Sequence, residues 1–206
     1  MGGKQEPPAP FSAPGWSVDP AARAAALAGY DVGRARHDAA LAEAAAFLAR
    51  LCDAPITMIT LMDEVTQHVL ARTGLEAEDF PVATSFCQHV LAADGLTEIA
   101  DTAADPRTAD NPFVTGPPHV RFYAGVPLRT PAGIAIGTAC LFDMTPRPEG
   151  LTQLQRDGLT LVARLAIGRL EGAAVADARE GERRRLAESE QRFHTLADTM
   201  PDGWSS

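Results

Sequence analysis

The sequence predicts an α+β fold in which helices stand before and after a run of antiparallel strands, with a long helix at the C-terminal end. Three observations carry this. A helical apolar period runs up to residue 51, short β-branched stretches punctuated by turn residues fill 56–142, and an unbroken helical pattern begins at Thr152.

Residues 1–20 contain Pro7, Pro8, Pro10, Pro14 and Pro20, a composition that favours an extended, poorly ordered leader. Leu41, Ala44, Ala45, Leu48 and Leu51 then recur at three- and four-residue spacing, one face of a helix. Gly29, Tyr30 and Gly33 divide it from an earlier, shorter helix, and Pro55 ends the helical region. Residues 56–62 are β-branched and almost uncharged, as in a central strand. After the Asp63-Glu64 turn, 67–72 closes a hairpin, and Gly74 and Pro81 bracket a loop. A short helix is expected over 86–93, capped by Thr84 or Ser85. A weak strand follows at 96–100. Asp105-Pro106 has the chemistry of a helix start, with Asn111-Pro112 as its stop. Residues 121–129 alternate Phe122, Ala124, Val126 and Leu128 against Tyr123, Gly125 and Pro127, and a turn at 130–133 leads to a strand at 134–142.

The last helix places Leu154, Leu161, Leu165, Val175, Leu186, Phe193 and Leu196 near a heptad seam, interrupted by Gly168 and Gly172. Between Ala174 and Arg192 five acidic and five basic residues balance, with Glu180/Arg184 and Glu188/Arg192 at the favoured spacing. Such a helix pairs readily with its own copy.

Composition narrows the function. A net charge of −9 argues against nucleic acid, whose phosphates need a basic face. No apolar run approaches the roughly 20 residues of a spanning helix, and the N-terminus lacks the apolar core of a signal peptide. A cytoplasmic location without membrane insertion is expected. Cys52, Cys87 and Cys140 form no CxxC pair and are most simply free thiols.

An ordered set of motifs adds a resemblance. Ser85-Phe86-Cys87-Gln88-His89, then Ala104-Asp105-Pro106-Arg107, Asp110-Asn111-Pro112, and Gly116-Pro117-Pro118-His119-Val120-Arg121-Phe122-Tyr123-Ala124-Gly125-Val126-Pro127-Leu128 together resemble the GAF domains of bacterial sensor kinases. The resemblance implies a six-stranded antiparallel sheet flanked by helices over residues 21–173, with the terminal helices packed together on one face. The tail resembles the opening helix of a PAS domain, so the expected organisation is a leader (1–20), a GAF domain (21–173), a signalling linker helix (174–190) and the start of a truncated PAS domain (191–206). The chain departs from sensor-type relatives where Gln67 is followed by His68-Val69-Leu70 instead of aromatic residues. Residues 32–37 stand where a Thr-Pro-Pro-Glu-like turn is usual.

Cys87 and His89 carry the residue types of a nucleophile–base pair or a metal site. At i and i+2 on a helix, however, their side chains diverge by about 200°, and no second metal-binding pair lies nearby, so a packed thiol and a hydrogen-bonded imidazole are the expectation. Neither a metal nor a catalytic residue is assigned. By the resemblance, the segment 101–123 encloses a small-molecule pocket. Its polar handles would be Asp101, Asn111, His119 and Arg121; its apolar walls Phe86, Phe113, Phe122 and Val126, with Cys87, His89 and Tyr123 nearby. In the alternative reading Asp105 and Asn111 only cap turns, and Arg121 pairs with Asp101 or Asp110. The ligand is unknown. Covalent bilin attachment is not expected, because 112–122 holds no cysteine. A sulfoxide-reductase thiol relay does not suit the wide cysteine spacing, and the cyclic-nucleotide signature of other GAF domains is absent. The resulting expectation is a non-catalytic sensory module of a signalling protein, most simply a sensor histidine kinase. It would form a homodimer through its terminal helices and relay to PAS and kinase modules downstream. A ligand-free dimerisation module is the alternative, and a thiol enzyme using Cys87 the third reading.

Overall fold

The computed structural model describes residues 20–76 and 79–199, with backbone alone for Pro20 and for 193–199. Elements follow the order α1 (Pro20–Leu27), α2 (Val32–Ala35), α3 (Ala39–Cys52), β1 (Ile56–Met62), β2 (Thr66–Thr73), β3 (Asp79–Pro81), α4 (Cys87–Leu91), β4 (Thr97–Ile99), α5 (Pro112–Thr115), β5 (Phe122–Arg129), β6 (Ala135–Asp143) and α6 (Gln153–Thr199). The strands form one six-stranded antiparallel sheet in the order β3-β2-β1-β6-β5-β4. This is the α+β, GAF-like fold that the sequence motifs imply.

Each face of the sheet has its own core. On one, α3 and α6 cover Ile59, Leu61, Phe122, Leu128 and Leu141. The other, outer face carries Met58, Val69, Tyr123, Cys140 and Phe142 under α4, α5 and their loops. α3 is built from its ends inward. Asp38 caps it by accepting from the amides of Ala40 (2.9 Å) and Leu41 (3.4 Å), while Leu41, Ala45, Leu48 and Cys52 bury the apolar stripe. Asp53 ends it in the left-handed region (φ 47°). Arg147 then donates to the orphan carbonyls of Cys52 and Asp53, at 2.7 Å each.

Three local expectations are corrected. Asp105-Pro106 starts no helix. The Asp105 carboxylate does accept from the Arg107 amide (2.9 Å), but the buried Thr108 hydroxyl donates back to the Thr102 carbonyl (2.8 Å) and holds the segment as turns. Asn111-Pro112 begins α5 instead of ending a helix: Asn111 Oδ1 accepts from the Phe113 amide (2.9 Å), and proline occupies the first turn. A third strand, β3, lies in the stretch expected to be loop; three residues with Pro81 at the sheet edge leave no period-two signal to read.

The expected leader falls outside the described residues except at Pro20, as does the PAS-like tail beyond Thr199. α6 runs without a break through 174–190. Among the described residues no helix is long and apolar enough to cross a membrane.

Candidate functional site

The outer face of the sheet holds an almost wholly apolar cavity of about 70 Å³. Ile56 and Met58 of β1 and Phe142 of β6 form its floor, with Phe86 and Val120 beside them. These are buried, whereas the rim is half-exposed Leu75, Phe80, Thr84 and Phe113 with exposed Pro118, so the cavity meets the surface along that edge. Phe80 and Phe113 meet edge to face at 5.8 Å across the rim. Gln67 and Ser85 are the buried polar residues in the lining.

Behind Gln67 and Ser85 a polar network is packed into the core. The Ser85 hydroxyl donates to Gln67 Oε1 (2.5 Å) and accepts from the Cys87 amide (3.0 Å). Gln67 Nε2 donates to Thr60 Oγ1 (3.3 Å) and to Cys87 Sγ (3.1 Å). Tyr123 donates its hydroxyl to the same sulfur at 3.4 Å and stacks on Phe86 at 5.4 Å. Burial alone pushes the Cys87 thiol up, but hydrogen bonds at the sulfur, from Cys140 first and then from Thr138 and Tyr123, outweigh it and carry the group below its usual range. Burial and the neighbouring Cys87 push Cys140 up.

The wall over the cavity is held by Asn111 and by the loop 101–121. Asn111 Nδ2 donates to the Thr84 carbonyl (2.9 Å), joining α5 to the segment before α4. Arg121 pairs with Asp101 in a two-pronged bridge (2.8 and 2.7 Å), and the Thr102 hydroxyl donates to the Val120 carbonyl (2.6 Å). His89 is buried against the Asp105–Arg107 turn. Its imidazole is held below its ordinary range by burial and then by the Arg107 charge, against the opposing pull of Asp105. The unfolded chain therefore takes up a proton near pH 6.5, the ordinary histidine value, that the folded chain resists. Stability is expected to be full above that pH and to decline as the pH falls below it. His89→Gln should flatten this limb of a denaturation-midpoint profile between about pH 7 and 5.

The residues singled out by sequence do not all meet at the cavity. Phe86 and Phe113 line the cavity, and Cys87 and Tyr123 stand behind its wall. Asn111, Asp101 and Arg121 brace the loop above it, while His89 packs beneath that loop and His119 is exposed, at φ 60°. Phe122 and Val126, expected as pocket walls, face α3 and α6 instead, because strand alternation sends them to the opposite side from Tyr123. Ile56, Met58, Gln67 and Phe142 were missed. β1 is buried on both faces, so its composition offers no cue to which alternate set meets the cavity. The sheet also overrides the wide cysteine spacing: Cys87 Sγ and Cys140 Sγ stand 3.6 Å apart. Among the described residues, no cluster of three or more His, Cys, Asp or Glu is placed to hold a metal ion.

Comparison with known proteins bears on the fold and the family. A cyclic di-GMP phosphodiesterase of Pseudomonas aeruginosa is 42% identical over 93 residues, 45% of this chain and 16% of that protein. The chain thus spans under a fifth of that relative's length. Among solved structures, the type II free methionine-R-sulfoxide reductase of Thermoplasma acidophilum superposes with a TM-score of 0.55 at 14% identity, over 69% of this chain and 96% of that one. The GAF domain of Thermosynechococcus elongatus PixJ, in its blue-light-absorbing form, gives 0.54 at 18% identity, over 82% and 96%. At such identities these two likenesses carry the fold alone. The GAF domain family matches residues 36–170, from the end of α2 to the end of the packed part of α6. The chain belongs to the GAF domain family, the sensory and regulatory modules of signalling proteins.

Proposed function

We propose that this chain is a ligand-gated regulatory module: a small, largely apolar molecule enters the outer cavity, and the response leaves through α6. The carrying observation is the placement of cavity and helix on opposite faces of the same strands. Ile56 and Met58 face the cavity while Ile59 and Leu61 face the helices. On β6, Phe142 and Leu141 divide in the same way. Filling the cavity therefore strains the strands on which Leu159, Val162, Ala166 and Leu170 of α6 rest. Such lining favours uncharged ligands, with Gln67, Ser85 and Thr84 as the polar handles. At about 70 Å³ the site admits only a very small molecule unless Phe80 and Phe113 swing outward.

The N-terminal helices clasp the start of the output. Tyr30 donates to Glu171, Arg34 pairs with Asp177, and Arg169 reaches Asp38 at 2.7 Å. Past this clasp, α6 leaves the domain as a connector. A sensor histidine kinase is the proposed parent. The phosphodiesterase likeness favours a cyclic-dinucleotide enzyme as the second reading, and this chain is assigned no catalytic turnover of its own.

The test is paired mass spectrometry of the freshly purified protein. Extra mass in native spectra that vanishes on denaturation supports a non-covalent ligand, and Val120→Phe, which fills the cavity, is expected to abolish it. Bare protein that binds nothing from metabolite pools favours the ligand-free dimerisation module.

The proposed relay needs two copies. Leu161 and Leu165 of α6 are 54% and 60% exposed, on the same outward stripe as Leu154, Val175 and Leu186. Nothing stands within 4 Å of a Cβ built at Gly168 or Gly172, leaving room for close helix approach. Leu161→Glu with Leu165→Glu is expected to weaken dimerisation at least about 100-fold, roughly 2.7 kcal/mol. Sedimentation equilibrium reads this, and a wild-type chain that stays monomeric at high concentration would refute the dimeric relay.

A further inference from the structure

Cys87 and Cys140 form a buried thiol pair that the proposed relay does not use. Their sulfurs stand 3.6 Å apart although 53 residues separate them, and both are fully buried. Cys52 lies in the other core, across the sheet. The surroundings of the pair are more polar than packing requires. The Gln67 amide and the Tyr123 hydroxyl both donate to the Cys87 sulfur. Ser85 anchors the amide by donating to its oxygen, which turns the N–H groups toward sulfur. Gly125, opposite Cys140 in the sheet, leaves the space that the tyrosine hydroxyl needs: a Cβ there would lie 2.6 Å from it. Donors aimed at a sulfur stabilise its thiolate, the reactive form. Gln67 and Ser85 also line the cavity, so a small molecule inside is one side chain away from Cys87.

We propose that Cys87 and Cys140 are an oxidation site, closed to an intramolecular disulfide by a small peroxide that enters through the apolar cavity. The Cys87 thiolate attacks one peroxide oxygen and the O–O bond breaks. Cys87 becomes a sulfenic acid, and the departing oxygen takes a proton and leaves as water or, from an alkyl peroxide, an alcohol. The Cys140 sulfur then attacks the Cys87 sulfur. The S–O bond breaks, the S–S bond forms, and the hydroxide released takes the Cys140 proton as water. Two thiols lose two electrons and two protons, and the peroxide is reduced. The opposite pushes on the two thiols assign the attack to Cys87 and the resolving step to Cys140. The bridge ties α4 to β6, whose other face carries α6.

The experiment uses freshly reduced wild-type protein, hydrogen peroxide, alkylation after unfolding, and tryptic mapping without reductant. Met144, 38% exposed, gauges the dose through its sulfoxide. The expected product joins peptides 73–107 and 130–156 before Met144 is appreciably oxidised, and dithiothreitol reverses it. Cys140→Ala should stop at the sulfenic acid, which dimedone traps at Cys87. Tyr123→Phe, which removes one donor, should slow bridging severalfold in a protein with an intact sheet spectrum. Oxidised Met144 beside two alkylatable thiols would overturn the proposal, and so would a bridge that contains Cys52. The wild-type map decides even if Cys140→Ala fails to fold.

Discussion

Gly137→Ala is expected to destabilise the domain by about 3 kcal/mol or more, a large share of a typical domain stability. Gly137 lies on β6 opposite Leu61 of β1, at the centre of the sheet. A Cβ added there would sit 2.0 Å from the Thr60 carbonyl oxygen and 3.0 Å from the Leu61 Cα. Both are backbone atoms, so no rotamer change relieves the overlap and the two central strands must separate. Separation also disturbs the Thr60–Thr138 hydroxyl pair (3.0 Å) and, through Thr60, the Gln67 amide. Urea denaturation checks this. A midpoint within a few tenths molar of wild type would show that the strands part without cost. Gly181→Ala is the control, since open space surrounds it and it lies away from the leucine stripe of α6, and it should leave the midpoint unchanged or slightly raised.

Asn111→Ala is expected to cost about 2–3 kcal/mol and to open the cavity wall. The side chain is fully buried and uses both ends, accepting from the Phe113 amide and donating to the Thr84 carbonyl. Alanine leaves the amide and the carbonyl without these partners. Asn111→Asp separates the two roles, because a carboxylate still caps α5 but cannot donate to Thr84. At neutral pH Asn111→Asp is expected to lose at least as much as Asn111→Ala, because it sets a buried carboxylate against the Thr84 carbonyl, and ligand binding should weaken in both variants. An Asn111→Asp protein as stable as wild type would show that the Thr84 bond contributes nothing.

Much of the fold was legible because its signals are local. Strands β1, β2, β5 and β6 lie within a residue or so of their expected limits, since each is a β-branched or alternating run ended by turn residues. β3 and the turns after Thr102 were not, because three residues show no period and a buried threonine hydroxyl can outcompete a helix start. Of the residues named from sequence, Phe86 and Phe113 line the cavity, Phe86 within a quoted motif and Phe113 between two of them. Phe122 and Val126 face the helices instead: their alternation against Tyr123 was legible, but not which of the two faces meets the cavity.

By itself, then, the sequence determined the α+β class, the family, the strand order along the chain and the amphipathic outward stripe of α6, all written in short-range period and motif. Only the tertiary structure decided which alternate residues of β1 and β6 face the cavity, that Asn111 bridges two segments, and that two distant cysteines meet. The cavity-facing set and the place of Cys140 depend on strand register. The Asn111 bridge and the place of Cys87 depend instead on how α4, α5 and their loops pack onto the sheet, 27 and 53 residues from their partners. A one-residue change of register would turn the strand side chains among them to the other face.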